Sequence, residues 1–379
     1  MTNAASAAKS TATPDRGVSW TGRPAPLLLA IAFYAVLAFL AGRGDGFHYL
    51  QLMRPGAYFA HPGVLVTGQR AEPNYGYDGQ FYFYLAEDPF LRNPATVASL
   101  DGSFRYRRLL YPVLAWLLSG GQRPLLPLVL FAINVLAALA CVVLVARAAV
   151  AARASPWVAL LVAVYPGIWV PVLLDTTETL QTALAATALV TGLAGFGLLA
   201  ALTKETGGFA LFAMALRRWF EGRRRGALLA AGLLAAYVLW ALAVRYLILP
   251  GLTGWGGPLD LFYDLANRHG DVIYMATHGS LASRLLPSAT ALVFVIAIAR
   301  LAITRDEATL AAAPYAAVVL SLGVDTWVEA LEYLRYAGFL LVLLLVSWVR
   351  LRDRLGSLGL VLAAAVSLLS LVALAQLLA

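Results

Sequence analysis

The chain has 379 residues, 61% of them hydrophobic and only 13% charged, with a mean hydropathy of +0.77. That is too apolar and too poor in charge for a soluble globule, and it predicts an all-α integral membrane protein. The 28 Lys and Arg exceed the 20 Asp and Glu to give a net charge of +8, but the excess gathers in short loops between apolar runs, which excludes a nucleic-acid partner and marks a topogenic signal.

The first 25 residues, rich in Ala, Ser and Thr with Lys9, Arg16 and Arg23, read as a disordered cytoplasmic tail, and 26–379 as one polytopic membrane domain. The run "PAPLLLAIAFYAVLAFLAG" lacks a small-x-small cleavage site and reads as a retained first span. Further spans are predicted near 124–146, 156–174, 226–249, 286–303, 308–324, 334–349 and 356–379. Between 179 and 218 three pieces, "TLQTALAATALV", "GLAGFGLLAAL" and "GGFALFAMAL", are each too short to span comfortably. They read as broken helices, which are tolerated at membrane depth only against protein or a wet cavity. The sum is about 11 membrane segments. Cys141 is the single cysteine and lies inside a span, so there is no disulfide framework.

With the N-terminus inside, the cytoplasmic side collects 15 Lys/Arg against 5 Asp/Glu, as the positive-inside rule requires. The 43–123 loop then faces out, as do "DTTETL" (175–180), "TKET" (203–206), the 250–285 loop and "DTWVEALEYLRY" (325–336). In the first loop, "GQFYFYLAEDPFLRNP" and "RYRRLLYPVLAWLLSGG" are predicted as interfacial helices with Arg105, Arg107 and Arg108 at headgroup level. Asp78 stands in a Tyr-Asp-Gly turn among Tyr75, Tyr77, Phe81, Tyr82 and Phe83. It is either a solvated acid in an aromatic belt or a carboxylate presented at a sugar-binding mouth.

Glu178, three residues after Asp175, fits a capping box as well as it fits a ligand site. Lys204 and Glu205 between two apolar half-helices are functional candidates by cost alone; a mutual Lys204–Glu205 pair that stabilises the break is the plainer expectation. Asp325, Glu329, Glu332 and Arg335 have helical spacing and would equally make a solvated helix with internal ion pairs. His269 and His278 lack the partner spacing of a zinc site, and neither phosphate-binding loops nor hydrolase elbows occur.

Taken in order, "GYDGQFYF", "RYRRLLYP", "DTTETL", "LTKET" and "YLRY" resemble the GT-C superfamily of polytopic glycosyltransferases, in particular bacterial mannosyltransferase-like and cell-surface glycopolymer formation proteins. The resemblance covers about 26–340 and implies a GT-C-like helical bundle in a bacterial inner membrane with an extracytoplasmic active site. It implies transfer of a sugar from a polyprenyl-phosphate donor to a glycan or lipid acceptor. On it Asp78 is the catalytic acid residue acting on the acceptor. Lys204 matches a basic residue near the donor phosphate, with Arg105, Arg107, Arg108 and Arg335 as further phosphate-binding candidates. Tyr75, Tyr77, Gln80, Tyr82, Glu178 and Glu205 are the substrate-binding candidates. Where many relatives carry paired acids, Gly79 follows Asp78, so the resemblance does not carry metal dependence over: no cofactor is assigned, and a divalent cation stays an open option. The rival class is a transporter or flippase of lipid-linked saccharides, for which broken helices with Lys204 and Glu205 would form the binding site. A structural subunit of an envelope assembly is a third.

Overall fold

The computed structural model describes residues 24–44, 46–60, 71–252, 281–322 and 330–378. The expectations for Asp325, Glu329, His269 and His278 fall outside them. In chain order the helices are α1 (Ala25–Gly42), α2 (Gly79–Glu87), α3 (Pro94–Ala98), α4 (Phe104–Arg107), α5 (Leu110–Ser119) and α6 (Leu126–Ala151). Next come α7 (Leu160–Val164), α8 (Pro166–Leu173), α9 (Glu178–Thr191), α10 (Ala194–Thr203), α11 (Gly208–Phe220) and α12 (Arg224–Ala243). A single π-helical turn, Val244–Ile248, extends α12, and α13 (Leu281–Ala299), α14 (Glu307–Leu320), α15 (Ala330–Leu351) and α16 (Arg354–Leu378) complete the set.

Among the described residues six helical stretches are long and apolar enough to cross a membrane, or seven if the α7–α8 pair, bent by 44° at Tyr165, counts as one. This is the architecture of an integral membrane protein, with fewer spans than the sequence suggested. The predicted span at 308–324 shrinks to the 14 residues of α14, about 21 Å of helix against a hydrocarbon core of roughly 30 Å. The three short pieces at 179–218 are found as α9, α10 and α11. Gly192 ends α9 in the left-handed conformation, φ 76°, where a side chain would be strained. The next break falls at Lys204, which is extended.

The centre of the bundle is α15, buried along most of its length and packed by α6, α8, α9, α13, α14 and α16. It meets α8 at Gly167 and Gly338: a Cβ on Gly338 would sit 2.1 Å from the Gly167 carbonyl oxygen, and one on Gly167 would sit 2.1 Å from the Gly338 nitrogen. Only glycines allow the backbones to approach so closely. Gly338→Ala is expected to destabilise by about 3 kcal/mol, the upper end of overpacking costs, because backbone cannot rotate away. A melting temperature equal to wild type would contradict this crossing. By contrast α1 and α12 are peripheral, with Leu28, Val36, Phe39, Leu228, Leu229 and Leu239 all more than half exposed to what would be lipid.

One local expectation fails outright. Helix α2 is not interfacial: Gln80 through Ala86 are all buried, and it packs on α5 and α6. Tyrosine hydroxyls give the segment an amphipathic look. In the fold they turn inward, where Tyr82 accepts a hydrogen bond from Arg108 and its ring lies edge-on to Tyr111. Arg105 and Arg108 are buried with them rather than lying at a headgroup surface.

A candidate active site at the α2–α4–α15 end

Asp78 directly precedes α2 without a side-chain capping bond, and the residue after it explains its position. A Cβ on Gly79 would come within 2.3 Å of the Leu174 carbonyl oxygen at the α8–α9 break, so a second acid could not stand there. Gln80 fixes the other side of the turn by accepting from the Gly56 amide (3.0 Å) and donating to the Tyr75 carbonyl (2.8 Å). Both its polar atoms are thus committed to the loop. Gln80 braces the turn that carries Asp78.

The carboxylate of Asp78 is held between two arginines from distant segments. Arg105 Nη2 lies 2.6 Å from Oδ1, and Arg335 Nη1 lies 2.7 Å from Oδ2. Each arginine has a second anion: Asp101 takes Arg105 at 2.7 Å, and Glu332 takes Arg335 at 2.6 Å. The Arg105 guanidinium also rests over Phe81 (4.4 Å) and Phe104 (4.5 Å), and that of Arg335 over Tyr77 and Tyr336. The internal ion pair expected on this helix is present as Arg335–Glu332, but Arg335 is not solvated: it is 5% exposed. Burial works against ionisation of Asp78, but Arg105 and Arg335 together outweigh it and hold the carboxyl well below the usual carboxylate range.

The motif "RYRR" spreads its side chains to different partners. Arg105 goes to Asp78, and the Tyr106 hydroxyl donates to the Pro89 carbonyl. Arg108 grips Glu205 with two bonds of 2.8 and 2.5 Å and donates to the Tyr82 hydroxyl at 2.8 Å. Burial again resists ionisation, yet Arg108 draws the Glu205 carboxyl down to about 2. Arg107 has no such anion. Its Nε and Nη2 are buried without a hydrogen-bond partner, and so is the Tyr237 hydroxyl of α12. Burial disfavours the Arg107 cation; Glu205 works against that, and the like charges of Arg245 in the π-helical turn and of Arg108 add to it. Trp240 closes this corner by donating its indole N–H to the Arg107 carbonyl at 3.2 Å. Tyr237, Trp240 and Arg245 were not foreseen, because on an apolar helix they carry only the signal of residues suited to a membrane boundary.

Lys204 and Glu205 do not pair with each other. Lys204 reaches back to Glu178, Nζ to Oε1 2.5 Å, with the two side chains 3% and 4% exposed, and sits 4.4 Å from the Tyr336 ring centroid. Arg335 Nε approaches the same Glu178 oxygen at 3.6 Å, joining this pair to the Asp78 cluster. Glu178 does not serve a capping box: α9 has no side-chain cap, and the Asp175 carboxylate accepts no hydrogen bond. Among the substrate candidates Tyr75, 67% exposed and packed on Tyr58, and Glu205, its side chain 43% exposed, are open; Tyr82 and Glu178 are sealed inside the cluster, and Tyr77 is partly covered by Arg335.

Asp175 is the anomaly. It is fully buried, has φ 48° in the left-handed region, and neither oxygen has a partner. The nearby Asn134 amide is spent on the Thr176 carbonyl (2.9 Å) and the Tyr111 hydroxyl (2.8 Å). Burial pushes the Asp175 carboxyl up, so it favours the protonated form. A raised folded value makes its contribution to stability greatest at acid pH and lost as pH rises through that value. Asp175→Asn is therefore expected to stabilise at neutral pH and to make no difference at low pH; a melt at pH 7 showing clear destabilisation would contradict the buried, unpaired assignment.

A divalent cation does not fit at Asp78. Both carboxylate oxygens are occupied by guanidinium groups, and among the described residues no three His, Cys, Asp or Glu side chains converge as metal ligands. What the site offers instead is four ion-paired cations (Arg105, Arg108, Lys204, Arg335), one cation without an ion pair (Arg107), and a carboxylate, Asp78, that keeps 19% of its side chain accessible. Comparison with protein-family models, with curated proteins and with solved structures finds no match for the chain.

Proposed function

We propose that the chain is a membrane glycosyltransferase that moves a sugar from a polyprenyl-phosphate donor to an extracytoplasmic glycan or lipid acceptor. The observation that carries the reading is a carboxylate clamped by arginines beside cationic donors with nothing to bind. Buried donors without acceptors are costly, and a phosphate is the anion that would complete Arg107, Tyr237 and the unpaired Nη1 of Arg105. Arg107 and Tyr237 lie where α4 meets the exposed apolar face of α12, with Leu239 and Leu247 66% and 79% exposed, so an isoprenoid tail could leave the phosphate directly into lipid; Arg105 stands two residues before Arg107 on α4. The basic excess at the far end of the bundle supports an extracytoplasmic location for the site.

In the proposed reaction the acceptor hydroxyl attacks the anomeric carbon as that carbon's bond to the phosphate oxygen breaks. The bonding pair leaves on the phosphate, facing the arginines, and the hydroxyl proton passes to Asp78, with inversion at the sugar. In the clamped state Asp78 is ionised but a weak proton acceptor. A donor phosphate competes with it for Arg105, so arrival of the donor loosens the clamp and raises the proton affinity of the base. Chemistry is thus linked to occupancy.

Arg107→Ala is expected to weaken polyprenyl-phosphate binding about tenfold or more, the worth of a charge-assisted contact, with a smaller effect on turnover of bound donor. The function itself is tested by reconstituting the chain with labelled polyprenyl-phosphate sugars and cell-envelope acceptor. Label appearing on the acceptor supports transfer, whereas label that only crosses the bilayer, still on its lipid, would identify a flippase.

A further inference from the structure

At the other end of the bundle a cavity of about 790 Å³ opens among the ends of three spans. The span beginning at Arg224 starts beside it, and those ending at Ala302 and Leu351 finish there, which sets it at the membrane boundary. Helix α15 runs from Arg335 to Leu351 between the two ends, about 24 Å along its axis, so the cavity belongs to the opposite leaflet from Asp78. Its walls divide into an apolar part, Leu216, Phe220, Leu310 and Leu351, and a charged part containing Arg217 and Arg305. Phe220 is 80% exposed and Leu351 47%.

The acids on that wall are already spent. Asp306 caps α14, accepting from the amides of Ala308 and Thr309 and from three hydroxyls. Glu221 is shared by Arg217 at 2.6 Å and Arg223 at 3.5 Å. Arg305, exposed on the rim, and Arg350, lining a smaller adjoining cavity that shares Arg217 and Glu221, have no anionic partner among the described residues. A cavity that is apolar towards the bilayer and cationic at its rim matches one ligand shape: a negative headgroup with acyl chains attached.

We infer that this cavity is a binding site for an anionic glycerophospholipid of the leaflet facing away from Asp78, its headgroup on Arg305 and Arg217 and its chains along Phe220 and Leu351. Such a lipid would tie α11, α14 and α15 together at their ends, and α15 carries Arg335 in the site above. The inference stands apart from the sugar-transfer reading.

The test uses the full chain in detergent, measuring melting temperature against added phosphatidylglycerol, phosphatidylcholine of the same chains, or glycerol phosphate. Binding to the folded state alone raises the melting temperature by mass action. The expected result is a saturable rise with phosphatidylglycerol only, with apparent affinity about tenfold weaker in Arg305→Glu and unchanged in Arg225→Glu, an exposed arginine at the same end outside both cavities. Arg305→Gln, which removes charge without reversing it, replaces the first variant if that one does not purify. Equal response to both lipids, a full response in the Arg305 variants, or loss in Arg225→Glu would overturn the site. A rise with glycerol phosphate equal to that with the lipid would overturn the lipid as ligand in favour of a soluble phosphate.

Discussion

Asp78→Asn is expected to lower sugar transfer by about two to four orders of magnitude, the range for losing a positioned general base. Asparagine keeps the size and one acceptor oxygen, so one of the two arginines keeps its partner at residue 78 while the other is left with its second anion, Asp101 for Arg105 or Glu332 for Arg335, and the turn on Gly79 and Gln80 is undisturbed. What disappears is the group that takes the hydroxyl proton. The donor's phosphate should still bind, because Arg107, Tyr237 and Arg105 Nη1 are intact, and binding should even tighten as the arginines lose a competing anion. A variant that lost turnover and donor binding together would point to collapse of the cluster instead. The same pairing has an acid limit. With its folded value lowered, Asp78 contributes stability above the ordinary carboxylate range, and that contribution is lost as pH falls towards the folded value. Wild type should therefore lose stability on acidification more steeply than Asp78→Asn.

The second large effect is on stability. Glu178 and Lys204 are both nearly sealed from solvent, and removing one partner leaves a buried charge at a cost of about 3–5 kcal/mol. The two halves are not equivalent. Without Lys204, Glu178 still has Arg335 at 3.6 Å, whereas without Glu178, Lys204 faces Arg335 and Arg108, both of which repel it. Glu178→Gln should therefore be the more damaging change, softened only if Lys204 gives up its proton. Adding Lys204→Met to Glu178→Gln should recover much of the loss, because no unpaired charge is then left buried and the neutral amide costs far less to bury than an ammonium. Equal melting temperatures for Glu178→Gln and the double variant would show that the pair is not energetically coupled.

The sequence made some of this legible because the physics was local. Long apolar runs give spans wherever about 20 such residues follow one another, and the Gly192 and Lys204 breaks fall where the pattern said they would. Most of the cluster's membership, though not Asp101, was also legible, since a charge in so apolar a chain stands out by cost. Its pairings were not. Lys204 chose an acid 26 residues upstream over its own neighbour, because Glu205 projects towards Arg108 from the adjacent break, and Arg335 meets an acid 257 residues away. Such partners depend on how α4, α9, α10 and α15 converge, which no spacing rule contains. The interfacial reading of α2 failed for a related reason: tyrosines are amphipathic, and only the neighbours decide whether the hydroxyl faces water or, as at Tyr82, a buried arginine. Gly79, which set the chain apart from sequences with paired acids, proved to be a steric requirement of the Leu174 carbonyl.

The most direct test of the proposed site is a density map of the full chain in a lipid nanodisc with polyprenyl phosphate bound. The account predicts the phosphate among Arg107, Tyr237 and Arg105, the isoprenoid tail along the exposed face of α12, and Asp78 released from at least one arginine. Phosphate density on another face of the bundle, with the Asp78 clamp unchanged, would contradict it.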